Sequence, residues 1–242
     1  MFKNLKSFHY DVTDSTNLRA REYIHNGGVL PAIFVAAEQT NGRGRQGKNF
    51  YSPKNTGLYF SLALEWQDSF NAISLTTAVS VALFRTLKNF TDKSLSIKWV
   101  NDILADGKKV AGILCEMVAD KETGNPKAVV IGIGVNLSTK AFPEELKDIA
   151  TALSNETTDS KKLEKRLIIE LYSVIFKESK ASVMNEYQKQ SAVMGQDIYY
   201  IQNGKRFDAA VVGIDENGGL EVEHPDGTKA TLTSGEITLR IK

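Results

Sequence analysis

Cysteine is almost absent from this chain. The 242 residues hold a single one, Cys115, so no intramolecular disulfide can form and a reducing compartment is expected. No apolar run approaches the roughly 20 residues of a membrane span. The N-terminal "MFKNLKSFHYDV" has no apolar core of the kind a secretory signal needs. Histidine is scarce too. His9, His25 and His224 lie far apart and offer no metal-ligand spacing. No charge sign dominates: 30 Lys and Arg stand against 29 Asp and Glu, for a net +1, which gives no global field for nucleic acid. No G-x-S-x-G elbow occurs, so hydrolase chemistry has no support. What remains is an ordinary globular composition, 42% hydrophobic and 24% charged. The length suits one large domain with an appendage, or two domains, and the expected location is cytoplasmic.

The hydrophobic pattern divides the chain. "SFHYDVTD" reads as a strand. "DSTNLRAREYIHNGG" reads as a helix, with Asp14 or Ser15 to cap it and Gly27-Gly28 to end it. "AIFVAAEQ" is a buried strand. "GLYFSLALEW" alternates, with Leu58, Phe60, Leu62 and Leu64 on one face. Residues 72–90 carry helical spacing through Leu75, Val79, Ala82, Leu83 and Leu87. "LSIKWVNDIL", "KVAGILCEMVA" and "AVVIGIGVNLS" are β-rich, and residues 160–180 form a second amphipathic helix. After about residue 193 the texture changes to five short strands punctuated by Asn-Gly, Asn-Gly-Gly and Asp-Gly, as in a small antiparallel barrel. The fold class expected is α+β: a mixed sheet flanked by helices over 1–192, then a small β-barrel over 193–242.

The stretch "QTNGRGRQGKNF" carries the sharpest question. Gly42-Arg43-Gly44-Arg45-Gln46-Gly47 fits G-x-G-x-x-G, and Glu65 lies ~20 residues on, where a dinucleotide's ribose would want an acid. That motif needs a helix to start at the third glycine. "KNFYSPKNTG" follows instead, and its Ser-Pro and Asn-Thr-Gly punctuation forbids one. Two Arg-Gly steps without a basic stripe or aromatic platform make poor RNA binders. The bland reading is a surface loop. The loop's company changes the odds. "DSTN" opens a helix with polar residues. "KWVNDI" packs cation, aromatic, amide and carboxylate together. "KKVAGIL" starts a strand with a lysine. In "IGIGVN", Gly132, Gly134 and Asn136 share one strand face, which would admit a ligand with Asn136 aimed at it. Cys115 sits in an apolar strand and reads as inert core.

Taken in order, these motifs closely resemble the biotin protein ligases. The family pattern runs D-S-T-N, Q-x-x-G-R-G-R-x-G-x-x-W, K-W-P-N-D, K-x-x-G-I-L and G-x-G-x-N. This chain has "DSTN", "QTNGRGRQGKNF", "KWVND", "KVAGIL" and "GIGVN", so the likeness spans nearly all of it. Two positions depart: Phe50 replaces a tryptophan, keeping an aromatic face of smaller area, and Val100 replaces a proline, which should loosen its turn.

The resemblance implies a class II synthetase-like catalytic domain with an SH3-like C-terminal barrel. It also implies a reaction. Biotin attacks the α-phosphate of ATP with Mg²⁺, and a lysine on the biotin carrier domain of a carboxylase then takes the biotinyl group. Lys109, Arg43, Arg45 and Asp102 are the catalytic candidates. Asp102 is either a positioning group or base for the incoming lysine, or simply a partner of Lys98. Ser15, Thr16, Asn17, Gln39, Gly42, Arg43, Gly44, Arg45, Lys109 and Gly112 are the biotin-binding candidates. Arg45, Phe50, Asn101, Lys109 and Asn136 are those for ATP. The loop is expected to be disordered when empty and to fold over the adenylate. A ligand-linked homodimer is compatible with the likeness. Many bacterial relatives carry an N-terminal helix-turn-helix, but "DSTN" begins at residue 14, so no DNA binding or repressor role is expected. Three rivals stay open: a lipoate or octanoate ligase of the same fold, a non-catalytic biotin or adenylate sensor, and an RNA-binding module.

Overall fold

The computed structural model describes residues 2–154, 158–202, 204–233 and 238–241, the last by backbone only. Two sheets organise it. The larger has seven strands in the order β1-β2-β3-β7-β6-β5-β4. These are β1 (Lys6–Thr13), β2 (Ala32–Gln39), β3 (Gly57–Glu65), β4 (Leu95–Lys98), β5 (Asp102–Ala105), β6 (Lys108–Ala119) and β7 (Pro126–Asn136). β1 and β2 run parallel and every other neighbouring pair antiparallel, so the sheet is mixed. Helix α1 (Thr16–His25) supplies the short parallel crossover from β1 to β2.

The two faces of this sheet do different work. β3 pairs on both sides and is buried almost throughout. Its Leu58, Phe60, Leu62 and Leu64 enter the main core, as the alternation predicts. They pack there with α2 (Ala72–Leu87) and α3 (Ser160–Phe176). Tyr59, Ser61 and Ala63 point the other way. That second face holds only a small cluster, Ala20 and Ile24 of α1 against Phe34, Ala63 and Val130. A face covered by one ten-residue helix leaves sheet uncovered beside the helix N-terminus, and the site forms there.

Two sequence expectations need correction. The helix expected over 160–180 is α3, which ends early at Phe176, and a further helix the sequence reading did not name, α4 (Lys180–Lys189), starts where the Ser179 hydroxyl accepts from the Ser182 N–H at 3.2 Å. The segment "LSIKWVNDIL" is a hairpin, β4 and β5, with residues 99–101 as its turn and a cis Trp99–Val100 peptide. The Val100 carbonyl accepts from the Ser80 hydroxyl at 3.3 Å and the Tyr187 hydroxyl at 3.2 Å, which anchors that turn.

The C-terminal sheet has the five strands expected, β8 (Asp197–Gln202), β9 (Lys205–Ile214), β10 (Leu220–Glu223), β11 (Lys229–Leu232) and β12 (Thr238–Ile241), in the order β11-β10-β9-β8-β12. Among the described residues β11 and β12 do not pair with each other, so it is an open sheet rather than a closed barrel. Asn203 of the expected Asn-Gly turn lies outside the described residues. Ile198, Val211, Leu220 and Val222 share the core cluster of the main body. The β9–β10 turn sits on α2, where Gly218 approaches Ile73 and Thr77. The Gly218 carbonyl accepts from the Trp99 indole at 2.9 Å, which ties this sheet to the "KWVND" turn. No described helix is long and apolar enough to cross a membrane.

Candidate active site

All five motifs meet at one cleft. Ser15, Thr16, Asn17, Gln39, Arg43, Gly44, Arg45, Phe50, Asn101, Lys109 and Gly112 line it together with Gly132 and Gly134. Gly42, Asp102 and Asn136 are not in its wall. Gly42 packs behind it, against the Phe50 carbonyl and the Ser52 hydroxyl.

One end of the cleft is neutral and tightly wired. Gln39 closes β2, and its Oε1 accepts from the Thr16 N–H at 2.8 Å, so it caps a helix whose N-cap Ser15 makes no side-chain capping bond. The Asp14 carboxylate takes the Ser15 N–H at 2.6 Å and the Arg19 guanidinium at 2.8 Å. Burial raises the Asp14 pKa, but those donors outweigh it and the net shift is downward. Gln39 Nε2 donates to Ser52 Oγ at 3.0 Å, and Ser52 donates to the Phe50 carbonyl at 2.9 Å. The Gln39 amide is therefore held at both ends, with its oxygen toward Thr16. Asn17 is buried between Ser61 Oγ at 2.6 Å from its Oδ1 and Glu116 Oε2 at 2.8 Å from its Nδ2.

The glycine face of β7 works otherwise than the sequence suggests. A Cβ at Gly132 would lie 2.2 Å from Asn17 Oδ1, and one at Gly134 would lie 2.6 Å from the Phe50 ring. The glycines make room for site side chains. Asn136, one step further along, is buried. Its Nδ2 reaches the Thr151 carbonyl at 3.4 Å, and its Oδ1 has no hydrogen-bond donor among the described residues.

The other end is cationic. Lys109 sits on a pinned backbone: its N–H donates to Ile149 at 2.8 Å and its carbonyl accepts from Thr151 at 2.9 Å. Its Nζ stands 2.7 Å from Asp102 Oδ1, with side chains 35% and 24% exposed. Asp102 therefore pairs with Lys109, a partner the sequence reading did not name. The approach is off hydrogen-bond angle, and that oxygen has no other donor among the described residues. Arg45 Nη1 donates to Asn101 Oδ1 at 3.1 Å, and Asn101 Nδ2 is clipped to the Ile113 carbonyl at 2.9 Å. Burial holds the Arg45 guanidinium below its ordinary pKa, with Asp102 opposing. Burial likewise pushes the Cys115 thiol up to about 12, which keeps it neutral and unreactive.

The loop around Arg43 and Arg45 is a folded turn, with Gly44 N–H on the Lys48 carbonyl at 2.7 Å and Phe50 N–H on the Gly42 carbonyl at 2.8 Å. Only a single 3-10 turn, Arg45–Gly47, follows the glycines, and Gln46 in it has φ 56°. The dinucleotide geometry is absent, as the Ser-Pro punctuation foretold.

Sequence reasoning missed Glu116 and Ser61. A signal for both was present. Counting by twos from Gly112 along β6 reaches Leu114 and Glu116, and Ser61 pairs with Gly132 across β3 and β7.

Comparison with known proteins gives the family. Residues 10–136 match the Biotin/lipoate A/B protein ligase family, and residues 200–240 match the biotin protein ligase C-terminal domain. The bifunctional ligase/repressor BirA of Bacillus subtilis is 31% identical over 242 residues, covering 96% of this chain and 73% of that protein. The biotin–[acetyl-CoA-carboxylase] ligase of Paracoccus denitrificans is 27% identical over 93% of this chain and 97% of its own. The biotin protein ligase of Aquifex aeolicus, solved in complex with biotin and ATP, superimposes with a TM-score of 0.82 at 30% identity, covering all of both chains. With the motifs, the fold and both halves of the chain in agreement, this protein belongs to the biotin/lipoate A/B protein ligase family, as a biotin protein ligase.

Proposed function

We propose that this chain activates biotin as biotinyl-5′-AMP and passes the biotinyl group to a lysine of a biotin carrier domain. Residues 1–192 would form the catalytic unit and 193–242 the appended one. One observation carries the reading: a single cleft with a neutral, amide-rich end and a cationic end. Biotin has that division, a ureido ring with two N–H donors and one carbonyl, and a carboxylate tail. The fixed Gln39 Oε1 suits a ureido N–H, and Thr16, Ser15 and Asn17 complete that end.

At the cationic end two anions must meet. Lys109, on its pinned strand, offsets the charge of the biotin carboxylate and the α-phosphate as the new P–O bond forms and pyrophosphate leaves. Arg43 and Arg45 bring forked donors to the same oxygens. Phe50 offers its face to adenine. Mg²⁺ would arrive on the ATP phosphates. Among the described residues no group of three or more His, Cys, Asp or Glu side chains comes together, so they build no dedicated cage for it. In the second step the carrier lysine attacks the acyl carbon, the bond to phosphate breaks and AMP departs. Asp102, released when Lys109 turns to the ligand, accepts the proton of the attacking amine. Closure of the 39–50 loop keeps water from the anhydride.

The test is pyrophosphate exchange into ATP with biotin, with lipoate and with neither. Exchange that needs biotin is expected. Exchange that needs lipoate would reverse the substrate assignment, and none at all from folded protein would favour a sensor. Protection of the 39–50 loop from protease on adding biotin and ATP tests the closure.

A further inference from the structure

Glu116 belongs to none of the five motifs, yet it reaches the neutral end of the cleft. Its side chain is 15% exposed. One oxygen, Oε1, meets Arg21 Nη1 at 3.3 Å and Arg43 Nη1 at 3.7 Å. The other accepts from Asn17 Nδ2 at 2.8 Å. The arginine contacts are long and to side chains 36% and 40% exposed, so they hold little. The contact with Asn17 is short and buried.

A carboxylate can only accept, so Glu116 turns the Asn17 amide with its NH₂ outward to the acid and its carbonyl inward. That carbonyl, 2.6 Å from Ser61 Oγ, can only accept, so it takes the one proton Ser61 has. Ser61 also stands 2.7 Å from Thr16 Oγ1, and with its own proton spent, that contact must be completed by the proton of Thr16. The Thr16 hydroxyl is then drawn away from Gln39 Oε1, 3.1 Å off. Gln39 Oε1 keeps the Thr16 N–H and has a lone pair left for a ligand N–H. Each hydroxyl in this run is buried, so water does not reset it.

We propose that Glu116 is a positioning residue that orders the hydrogen-bond polarity of the neutral end of the cleft through Asn17, Ser61 and Thr16, and so selects a cyclic ureido ligand. The proposal rests on the biotin reading above.

Initial-rate pyrophosphate exchange tests it with biotin and with desthiobiotin, which keeps the ureido ring and lacks the thioether ring. Glu116→Ala is expected to raise the KM of both by the same factor, at least about tenfold for a charge-assisted bond, with the KM of ATP within twofold. Glu116→Gln, whose amide oxygen still accepts from Asn17, is expected to recover most of that loss. Should Glu116→Ala fail to fold, Ser61→Ala breaks the run one link along and is expected to give the same split. A KM for ATP that rises in step with biotin would overturn the proposal, as would a Glu116→Gln variant as impaired as Glu116→Ala. Either result leaves the ligase reading intact. Wild-type protein inert toward both ligands would overturn that reading and this proposal with it.

Discussion

Asp102→Asn separates the two half-reactions. In the structure the carboxylate faces Lys109 Nζ at 2.7 Å, with both side chains a quarter to a third exposed. An ion pair so placed contributes about 1 kcal/mol or less. Its loss should lower Tm by only about 2–4 °C in a chain of this size. Loss of that hold on Lys109 costs adenylation about fivefold, the rate equivalent of 1 kcal/mol. Loss of a base costs far more, about 10²–10⁴-fold. Asn is isosteric and cannot take a proton, so the two effects part cleanly. Adenylation is read by pyrophosphate exchange. Transfer is read in a single turnover of preformed biotinyl-5′-AMP with a biotin carrier domain. The expected outcome is exchange down about fivefold and transfer down at least about a hundredfold. Equal losses in the two steps would refute the base role and leave Asp102 as a holder of Lys109 alone.

Lys109→Gln removes the ammonium and should cut biotin-dependent exchange by about 10²–10³-fold, the cost of one preorganised donor at a developing oxyanion. Trp99→Phe strands the buried Gly218 carbonyl, 2.9 Å from the indole nitrogen. At about 1–3 kcal/mol for an unsatisfied group, calorimetry should find Tm lower by several degrees, and an unchanged Tm would break the proposed tie between the sheets. Gly132→Ala would put a Cβ 2.2 Å from Asn17 Oδ1. The displaced Asn17 gives up two hydrogen bonds, roughly 3 kcal/mol, and adding Asn17→Ala should recover part of that in a double-mutant cycle. Arg85 holds Glu178 at 2.7 Å and Glu186, and it is the main reason the Glu178 pKa lies below its usual value. A depressed folded pKa stabilises above the ordinary carboxylate range, and that gain is lost as pH falls through the folded value. The Tm gap between wild type and Arg85→Met should therefore be widest near neutral pH and close on acidification.

The sequence was most legible where one period ruled a whole element. β2 matches "AIFVAAEQ" residue for residue, and the half of β3 that enters the main core follows from its alternation. The candidate site was legible as motifs, because loops and helix starts carry their polar residues in short runs. It was less legible as wiring. Gln39 was read as a ligand contact, and it also caps α1 across 23 residues of sequence. For Asp102 the sequence offers Lys98, four residues back, and β6, paired with β5, brings Lys109 Nζ to 2.7 Å from it. Asn136 shares a face with the two glycines by period, but the chain at Thr151 covers it. Each has the same origin: a partner supplied by an element distant in sequence, which no local count can see.

That pattern also explains why the residue types in the motifs cannot be read singly. Gly132 and Gly134 look like a surface cleared for a ligand. The space they clear is taken by Asn17 and Phe50, side chains from two other motifs. A methyl group at either position would therefore act at one remove, by moving the residue that meets the ligand. The same holds for Glu116, whose charge lies outside the motifs while its effect falls on Asn17 within one. The motifs record which groups face the substrates, and the constraints that aim those groups sit on β3 and β6, in positions that alternate with the core. A substitution at Ser61 or Glu116 should then alter ligand affinity while the motif residues stay untouched. Searching only the motifs for the determinants of specificity would miss both.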